Sequence, residues 1–167
     1  MARWLGAALG FGMVAALAAC AAPPPPPPPP TVVVLTLTAA KDANPSPDGQ
    51  GAPVVLRVYQ LTGTANFTAA EFFDLFSHDQ TALKTDLVKR DDLTLAPGQS
   101  RTLTLQPSDQ VKAIGVFAAY RDYAGATWRA SVDVPPHKTT KVTVTAGRTG
   151  LTVSPPPAGA PAGQSGS

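Results

Sequence analysis

Two histidines and a few clustered carboxylates are the side chains of this 167-residue chain that could take part in acid–base or metal chemistry. His78 follows a predicted helix and His137 lies in a Pro-Pro-His-Lys turn, and a surface position is the default for both. Asp86, Asp91 and Asp92 lack the loop spacing of a calcium site and fit a solvated strand edge better. No nucleotide-binding or hydrolase motif occurs, so the sequence predicts no enzyme activity, cofactor, metal site or small-molecule substrate.

Cys20, the single cysteine, is the residue for which the sequence predicts covalent chemistry. Residues 1–19 place Arg3 first and then an uncharged stretch rich in Ala, Leu and Gly, which is typical of a secretory signal peptide. As a transmembrane helix the stretch would be short and interrupted by glycine. The end of the stretch, Leu17-Ala18-Ala19-Cys20, resembles a bacterial lipobox, in which the cysteine thiol accepts the lipid. We therefore expect cleavage before Cys20 and acylation of its thiol, because several acyl chains hold a protein stably in a membrane.

The residues that follow the cysteine predict a location and a spacer. Ala21 and Ala22 favour the outer membrane, since an Asp after the cysteine usually retains bacterial lipoproteins in the inner membrane. The eight prolines at 23–30 favour polyproline II, which at about 3.1 Å per residue would span roughly 25 Å. We interpret residues 20–31 as the lipidated cysteine and a semi-rigid tether, with a proline-rich ligand for another module as the alternative.

Two further features limit the function classes. Residues 154–167 contain no aromatic side chain and no aliphatic one larger than alanine, so they are predicted to be a disordered tail. The formal net charge is only +2, and the basic residues do not cluster. The sequence therefore predicts neither a nucleic-acid surface nor electrostatic binding to anionic lipid.

The middle of the chain, residues 32–153, alternates apolar and polar side chains in short runs separated by turn residues. Period-two alternation is typical of half-buried strands. About seven strands without alternating helices predict an all-β fold, a two-sheet β-sandwich with one added short helical region. The predicted strands are 32–38, 54–61, 101–105, 111–120, 128–134, 139–145 and 151–153, with 86–95 as a weaker candidate.

One segment predicts a helix instead of a strand. Thr68 and Glu71 have the spacing of a capping box, with Thr68 as the N-cap. Phe72, Phe73 and Phe76 follow as an apolar helical stripe, which we interpret as a helix that plugs one end of the sandwich.

A long loop, residues 39–52, connects the first two predicted strands. Its sequence, AAKDANPSPDGQGA, is rich in turn formers, and two prolines stiffen it. It exceeds what a simple sheet connection requires, and a stiff loop loses little conformational entropy when a partner binds. From these residues alone, a binding loop and a merely tolerated connection are equally good interpretations.

Several of these motifs, taken in order, resemble the TssJ (SciN-like) family of outer-membrane lipoproteins from type VI secretion systems. The resemblance covers residues 32–153 after a lipobox, while the polyproline run and the tail depart from the family pattern. The matching motifs are Asn44-Pro45, Asp48-Gly49, PVVLRVYQL at 53–61, Phe67 with Phe72-Phe73-x-Leu75, Leu95-x-Pro97-Gly98, IGVFAAYRD at 114–122, and Trp128-Arg129.

The resemblance implies a transthyretin-like β-sandwich with a non-enzymatic role. It implies an outer-membrane anchor that binds the periplasmic C-terminal domain of the inner-membrane protein TssM, in a complex that also contains TssL. In the family, the loop between the first two strands is part of the TssM contact. The matching positions in this sequence are Asn44, Pro45, Asp48 and Gly49, and we add their loop neighbours Ser46, Pro47 and Gln50.

Some of the matched residues have structural interpretations, and two other functions are alternatives to the family's role. Arg57, Tyr59, Arg121, Asp122 and Arg129 are interpreted as packing and ion-pairing residues, with partner contact as the alternative. Transthyretin-like folds include a hydroxyisourate hydrolase, which needs clustered His and Arg residues and a characteristic C-terminal tetrapeptide. This chain has two separated histidines and ends GQSGS, so we discount this enzyme function. The remaining alternative is a periplasm-facing lipoprotein that binds a small apolar ligand. Such a carrier needs an open cavity between the sheets, whereas the family predicts a filled core.

Overall fold

The computed structural model describes residues 25–154. The predicted signal peptide, Cys20, the first prolines of the tether and residues 155–167 of the predicted tail lie outside the described residues. Among residues 25–154, no helix has the length and apolar character needed to cross a bilayer. The elements are β1 Val32–Ala39, β2 Val54–Leu61, α1 Ala65–Ala69, α2 Phe72–Ser77, α3 Asp79–Leu83, a 3-10 turn Lys84–Asp86, β3 Leu87–Leu95, β4 Ser100–Leu105, β5 Ala113–Ala119, β6 Arg129–Asp133, β7 Thr139–Ala146 and β8 Leu151–Ser154.

The strands form two four-stranded sheets, in the orders β4-β1-β7-β8 and β3-β2-β5-β6. β1 and β7 pair in parallel, and the other strand pairs of the two sheets are antiparallel. The all-β two-sheet sandwich with an added helical region is therefore confirmed. Every predicted strand, including 86–95, is present, and β2 has the predicted bounds.

Buried side chains form two clusters that cover both faces of β2. The first fills the space between the sheets with strand residues such as Leu35, Leu56 and Val116. The second lies on the outer face of β2 and β5, where the three helices cover the sheet. Its members are Tyr59, Leu61, Phe67, Phe72, Leu75, Leu83 and Phe117. Because the helices cover this face, Tyr59 is fully buried.

The strand directions give the sandwich two distinct ends. β1 starts directly after the prolines at 25–30 and ends where the long loop begins, and its eight residues span about 26 Å. At the first end, which we call the tether pole, the His137 N–H donates to Thr31 Oγ1 at 2.9 Å and Val32 N donates to the Lys138 carbonyl at 3.0 Å. At the other end, the loop pole, β2 starts, while β3 and β5 end beside it.

The capping box forms one helix later than predicted. Thr68 lies inside α1, whereas Glu71 is the N-cap of α2. The Glu71 N–H donates to Asp74 Oδ2 at 3.0 Å. Ala70 is extended at φ −65° and ψ 142°, which divides the segment into two short helices. Each helix thereby buries a phenylalanine in the second cluster.

The predicted apolar stripe of α2 is only partly buried. Phe72 and Leu75 pack in the second cluster, whereas Phe73 and Phe76 are 55% and 43% exposed. The prediction that the stripe plugs one end of the sandwich was therefore wrong: α2 packs on the outer face of β2 and β5, and Phe73 and Phe76 remain exposed. Only one face of a short helix can meet the sheet, and here it is the face of the i, i+3 pair Phe72 and Leu75.

Two arginines from the sheet cap the C-terminal ends of α1 and α2. Arg57 Nη1 donates to the carbonyls of Leu75 and Phe76 at 2.6 and 2.9 Å. Arg129 Nη1 donates to the carbonyl of Ala70 at 2.6 Å. Carbonyls in the last turn of a helix lack intrahelical partners, so these bonds stabilise the helix ends. The interpretation as a packing and ion-pairing residue is confirmed for Arg57, which also pairs with Asp79 and Asp92. Arg129 packs over the ring of Trp128 but makes no ion pair among residues 25–154.

Asp79 ties the helices to the sheet through a buried charge. Its Oδ2 accepts hydrogen bonds from Arg90 Nη1 at 2.8 Å and from the Tyr59 hydroxyl at 3.1 Å, and Arg57 Nη1 lies 3.6 Å away. Burial alone would raise the pKa of Asp79, but the hydrogen bonds from Arg90 and Tyr59 and the charges of both arginines hold it below 3.8. Burial also raises the pKa of Tyr59, so its hydroxyl remains a donor.

We predict that Asp79→Asn lowers the free energy of unfolding by about 3 kcal/mol near neutral pH, because two arginines lose a buried counter-charge. The pKa of Asp79 is lower in the folded chain than its ordinary value of 3.8. The stabilisation is therefore complete above about pH 5 and is lost as the pH falls through the folded pKa. Urea unfolding at several pH values should show the wild-type and variant curves converging at low pH.

Asp42→Asn is the matched control, because Asp42 is exposed and makes no ion pair with any residue in the range 25–154. Its stability should change by less than about 0.5 kcal/mol. Equal losses in the two variants, or a loss in Asp79→Asn that grows toward low pH, would contradict the account.

Candidate functional site

The loop between β1 and β2 closes on itself at a narrow neck. Ala52 N donates to the carbonyl of Ala43 at 2.9 Å. A Cβ on Gly51 would lie 2.2 Å from the carbonyl oxygen of Lys41, so only glycine fits there. The loop therefore projects from the loop pole as a defined unit rather than as an open connection.

The end of this loop, residues 46–50, is a tight hydrogen-bonded turn that we call the tip. Ser46 N donates to the carbonyl of Gln50, and Gly49 N donates to the carbonyl of Ser46, both at 2.8 Å. Gly49 has φ +81°, a left-handed conformation that favours glycine. Pro45 and Ser46 are half-buried, and the residues exposed to a partner are Pro47, Asp48, Gly49 and Gln50.

Asp48 presents a negative charge at the tip. The Ser46 hydroxyl donates to its carboxylate. This hydrogen bond is the largest cause that lowers the pKa of Asp48, followed by a backbone hydrogen bond and the charge of Arg121. Asp48 is exposed, so a molecule that contacts the tip meets this charge.

Asn44 faces into the protein rather than toward solvent. Its Nδ2 donates to the carbonyl of Pro53 at 2.7 Å, and its Oδ1 accepts from the N–H of Arg121 at 2.8 Å. The residue is buried and has φ +48°, which asparagine tolerates better than most residues. The carboxamide therefore shapes the loop and joins it to the β5–β6 loop, and it is not available to a partner.

Further contacts make the loop pole one connected structure. The Tyr120 hydroxyl donates to the carbonyl of Gly147 at 3.1 Å, which fixes the β7–β8 turn against the end of β5. Burial raises the pKa of Tyr120 to about 12, so the hydroxyl keeps its proton. A bridge between Thr127 and Gly150 joins the same turn to the β5–β6 loop.

Two grooves flank Asn44 at the loop pole. One, of about 240 Å³, is lined by polar residues that include Asp122 and Arg148. The other, of about 350 Å³, is lined mainly by aromatic side chains, and we call it the aromatic groove. Its lining residues are Asn44, Phe72, Phe73, Phe76, Ala119, Tyr120, Arg121 and Tyr123.

The exposed residues of the aromatic groove were not among the site residues predicted from the sequence. One signal in the sequence could have shown that part of the apolar surface of α2 stays exposed. Phe72 and Leu75 are three residues apart and lie on one face of the helix, and Phe73 and Phe76 form an equivalent pair on the adjacent face. A short helix cannot pack both faces against one sheet, so one apolar pair must remain exposed.

The arrangement at the loop pole offers shape and charge for binding. Within residues 25–154, no three His, Cys, Asp or Glu side chains form a group that could hold a metal ion. His78 and His137 are exposed and lie on different elements, at the end of α2 and in the β6–β7 turn.

We predict that Asn44→Ala lowers the free energy of unfolding by about 2 kcal/mol, because two partly buried backbone groups, the Pro53 carbonyl and the Arg121 N–H, lose their partner. Asn44→Gly tolerates the positive φ but also lacks the carboxamide, so most of this loss should remain. Gln50→Ala is the exposed control and should change stability by less than about 0.5 kcal/mol. Thermal unfolding measures all three, and full stability in Asn44→Gly would show that the hydrogen bonds do not hold the loop.

The chain matches a known family model over residues 31–149. The model is described as type VI secretion lipoprotein, with VasD, EvfM and TssJ among its members. Comparison with curated protein sequences returns no match.

Similar solved structures come from several type VI systems. The lipoprotein TssJ1 from Pseudomonas aeruginosa is 40% identical, with 78% of this chain and 99% of that chain covered and a TM-score of 0.75. Serratia marcescens Lip, a membrane-bound component of the system, is 29% identical, with 75% and 98% covered and a TM-score of 0.69. A chain in a structure described as the TssM C-terminal domain from EAEC is 28% identical, with 75% and 98% covered and a TM-score of 0.61.

The family match over most of the chain, together with the 40% identity to TssJ1, confirms the resemblance: this chain belongs to the SciN/TssJ family of type VI secretion lipoproteins.

Proposed function

We propose that this chain is the outer-membrane lipoprotein of a type VI secretion membrane complex and that it anchors the periplasmic C-terminal domain of TssM to the outer membrane. Acylated Cys20 holds the chain in the membrane, the tip of the β1–β2 loop binds TssM, and TssL belongs to the same complex. The family is one of secretion lipoproteins rather than enzymes.

The separation of the tether from the loop is the observation that carries this proposal. The prolines at 25–30 enter at the tether pole, and β1 leads from there to the loop about 26 Å away. An anchor that joins two membranes needs its lipid and its partner contact on different sides. The two poles supply this arrangement, since the tip points away from the segment that leads to the lipid.

The tip also has the properties of a preorganised contact. Its internal hydrogen bonds and the Asn44 carboxamide fix its shape before a partner arrives. A contact whose shape is already fixed loses less conformational entropy on binding. Pro47, Asp48, Gly49 and Gln50 make the direct contacts, while Asn44, Pro45 and Ser46 hold them in position.

No specific observation favours the alternative, a carrier of a small apolar ligand. Aliphatic side chains such as Leu35, Leu56 and Val116 fill the space between the sheets. The grooves described above lie at the surface of the loop pole, outside the two sheets.

We predict that the double substitution Asp48→Lys and Gln50→Ala weakens binding to TssM at least about tenfold. It reverses the charge of the tip and removes an exposed side chain, while the backbone hydrogen bonds of the turn remain. Titration of purified TssM onto the acylated chain in nanodiscs measures the affinity.

Asp109 and Gln110 supply a matched control, because they are exposed and lie in the β4–β5 connection at the tether pole. Asp109→Lys with Gln110→Ala makes the same chemical change and should leave the affinity unchanged. Wild-type affinity in the tip variant would place the contact elsewhere, and a loss in both variants would indicate nonspecific electrostatic attraction.

We predict that Cys20→Ser moves the protein from the membrane fraction to the soluble periplasmic fraction, because the thiol that accepts the lipid is gone. Ala21→Asp keeps the thiol and should move the protein from the outer to the inner membrane. Fractionation of cells on a density gradient distinguishes the three positions. Unchanged fractionation of Cys20→Ser would refute the lipid anchor.

A further inference from the structure

We propose that the aromatic groove is a second contact for the same partner, and that it takes a segment with an aromatic or long aliphatic side chain next to a carboxylate. This inference rests on the proposed function, because it adds a contact to the one that the tip makes. Three observations carry it: exposed aromatic surface, an unpaired arginine at the rim, and continuity with the loop.

The groove exposes three aromatic side chains to water. Phe73, Phe76 and Tyr123 are 55%, 43% and 37% exposed. At about 200 Å² for each side chain, they present roughly 270 Å² of aromatic area to water. Exposed apolar patches of a few hundred Å² often mark interaction sites.

The rings are held in place by one another. Tyr123 stacks on Phe72 with a centroid distance of 4.5 Å and meets Phe73 edge-on at 5.1 Å. Phe76 stacks on Phe72 at 5.9 Å. Arg57 in turn caps the carbonyl of Phe76, which fixes the end of α2. The groove is thus already ordered, and an entering side chain loses little entropy in ordering it.

The rim of the groove determines the charge of the partner. Arg121 is the single charged residue that lines it. The Arg121 side chain is exposed and makes no ion pair within the part of the chain that the structure describes. A carboxylate beside the entering apolar side chain would pair with this guanidinium, and such bidentate pairs give strong, directional contacts.

The groove is continuous with the loop that carries the tip. Asn44 lines the groove, and its Oδ1 accepts the hydrogen bond from the N–H of Arg121. A protein that contacts the tip therefore lies beside the groove. The tail of this chain fits less well, because residues 155–167 contain no aromatic or long aliphatic side chain to enter the groove.

The test measures TssM affinity for the full mature, acylated chain in nanodiscs. Phe73→Ser with Phe76→Ser should weaken binding at least about tenfold, and so should Arg121→Glu. Arg121→Gln should weaken it less, and its binding should depend less on salt. Val88→Ser with Val153→Ser is the matched control, since these side chains are 36% and 43% exposed on β3 and β8. The control should bind like the wild type.

The outcomes separate this proposal from the proposed function. If the tip variant loses affinity while both groove variants bind like the wild type, the groove proposal is overturned and the tip contact stands. If the wild-type chain does not bind TssM, both are overturned.

Two other results would assign the groove to a different occupant. If Phe73→Ser/Phe76→Ser leaves the TssM affinity unchanged but lowers the mass of the oligomer that this chain forms, the groove binds a second copy of the chain. A tighter complex after removal of residues 155–167 would assign it to the tail. Either result overturns the proposal.

Discussion

The carboxamide of Asn44 is the contact on which the loop pole depends. Its Nδ2 donates to the carbonyl of Pro53 at the end of the loop, and its Oδ1 accepts from the N–H of Arg121 in the β5–β6 loop. Because both polar atoms are used and the residue is buried, the loop cannot move independently of the β5–β6 loop. The tip and the aromatic groove therefore keep a fixed relation to each other, as the proposed contact with one partner at both places would require.

A second set of contacts fixes the helices that form the other wall of the groove. Arg57 and Arg129 reach from the sheet to the carbonyl ends of α2 and α1. Asp79, the first residue of α3, forms ion pairs with Arg57 and Arg90 of the sheet. The helices are too short to be stable alone, so their positions follow from these bonds and from the aromatic cluster below them. The exposed rings of α2 are the surface that results.

The sequence predicted the strands well because alternation of apolar and polar residues follows directly from strand geometry, and β2 was placed without error. It predicted the burial of α2 poorly, because the pattern marks Phe73 and Phe76 as apolar but does not say which helix face meets the sheet. The inward position of Asn44 was not predictable either. Its partner Arg121 is 77 positions away, and only the fold brings the two together.

The account depends on the tip, rather than the tether pole, facing TssM. Photo-crosslinking in intact cells tests this most directly, with a photoreactive amino acid replacing either Gln50 at the tip or Gln110 at the tether pole. The account predicts a covalent adduct with TssM from position 50 and none from position 110. An adduct from position 110 alone would contradict it, because TssM would then contact the end of the sandwich that the tether enters.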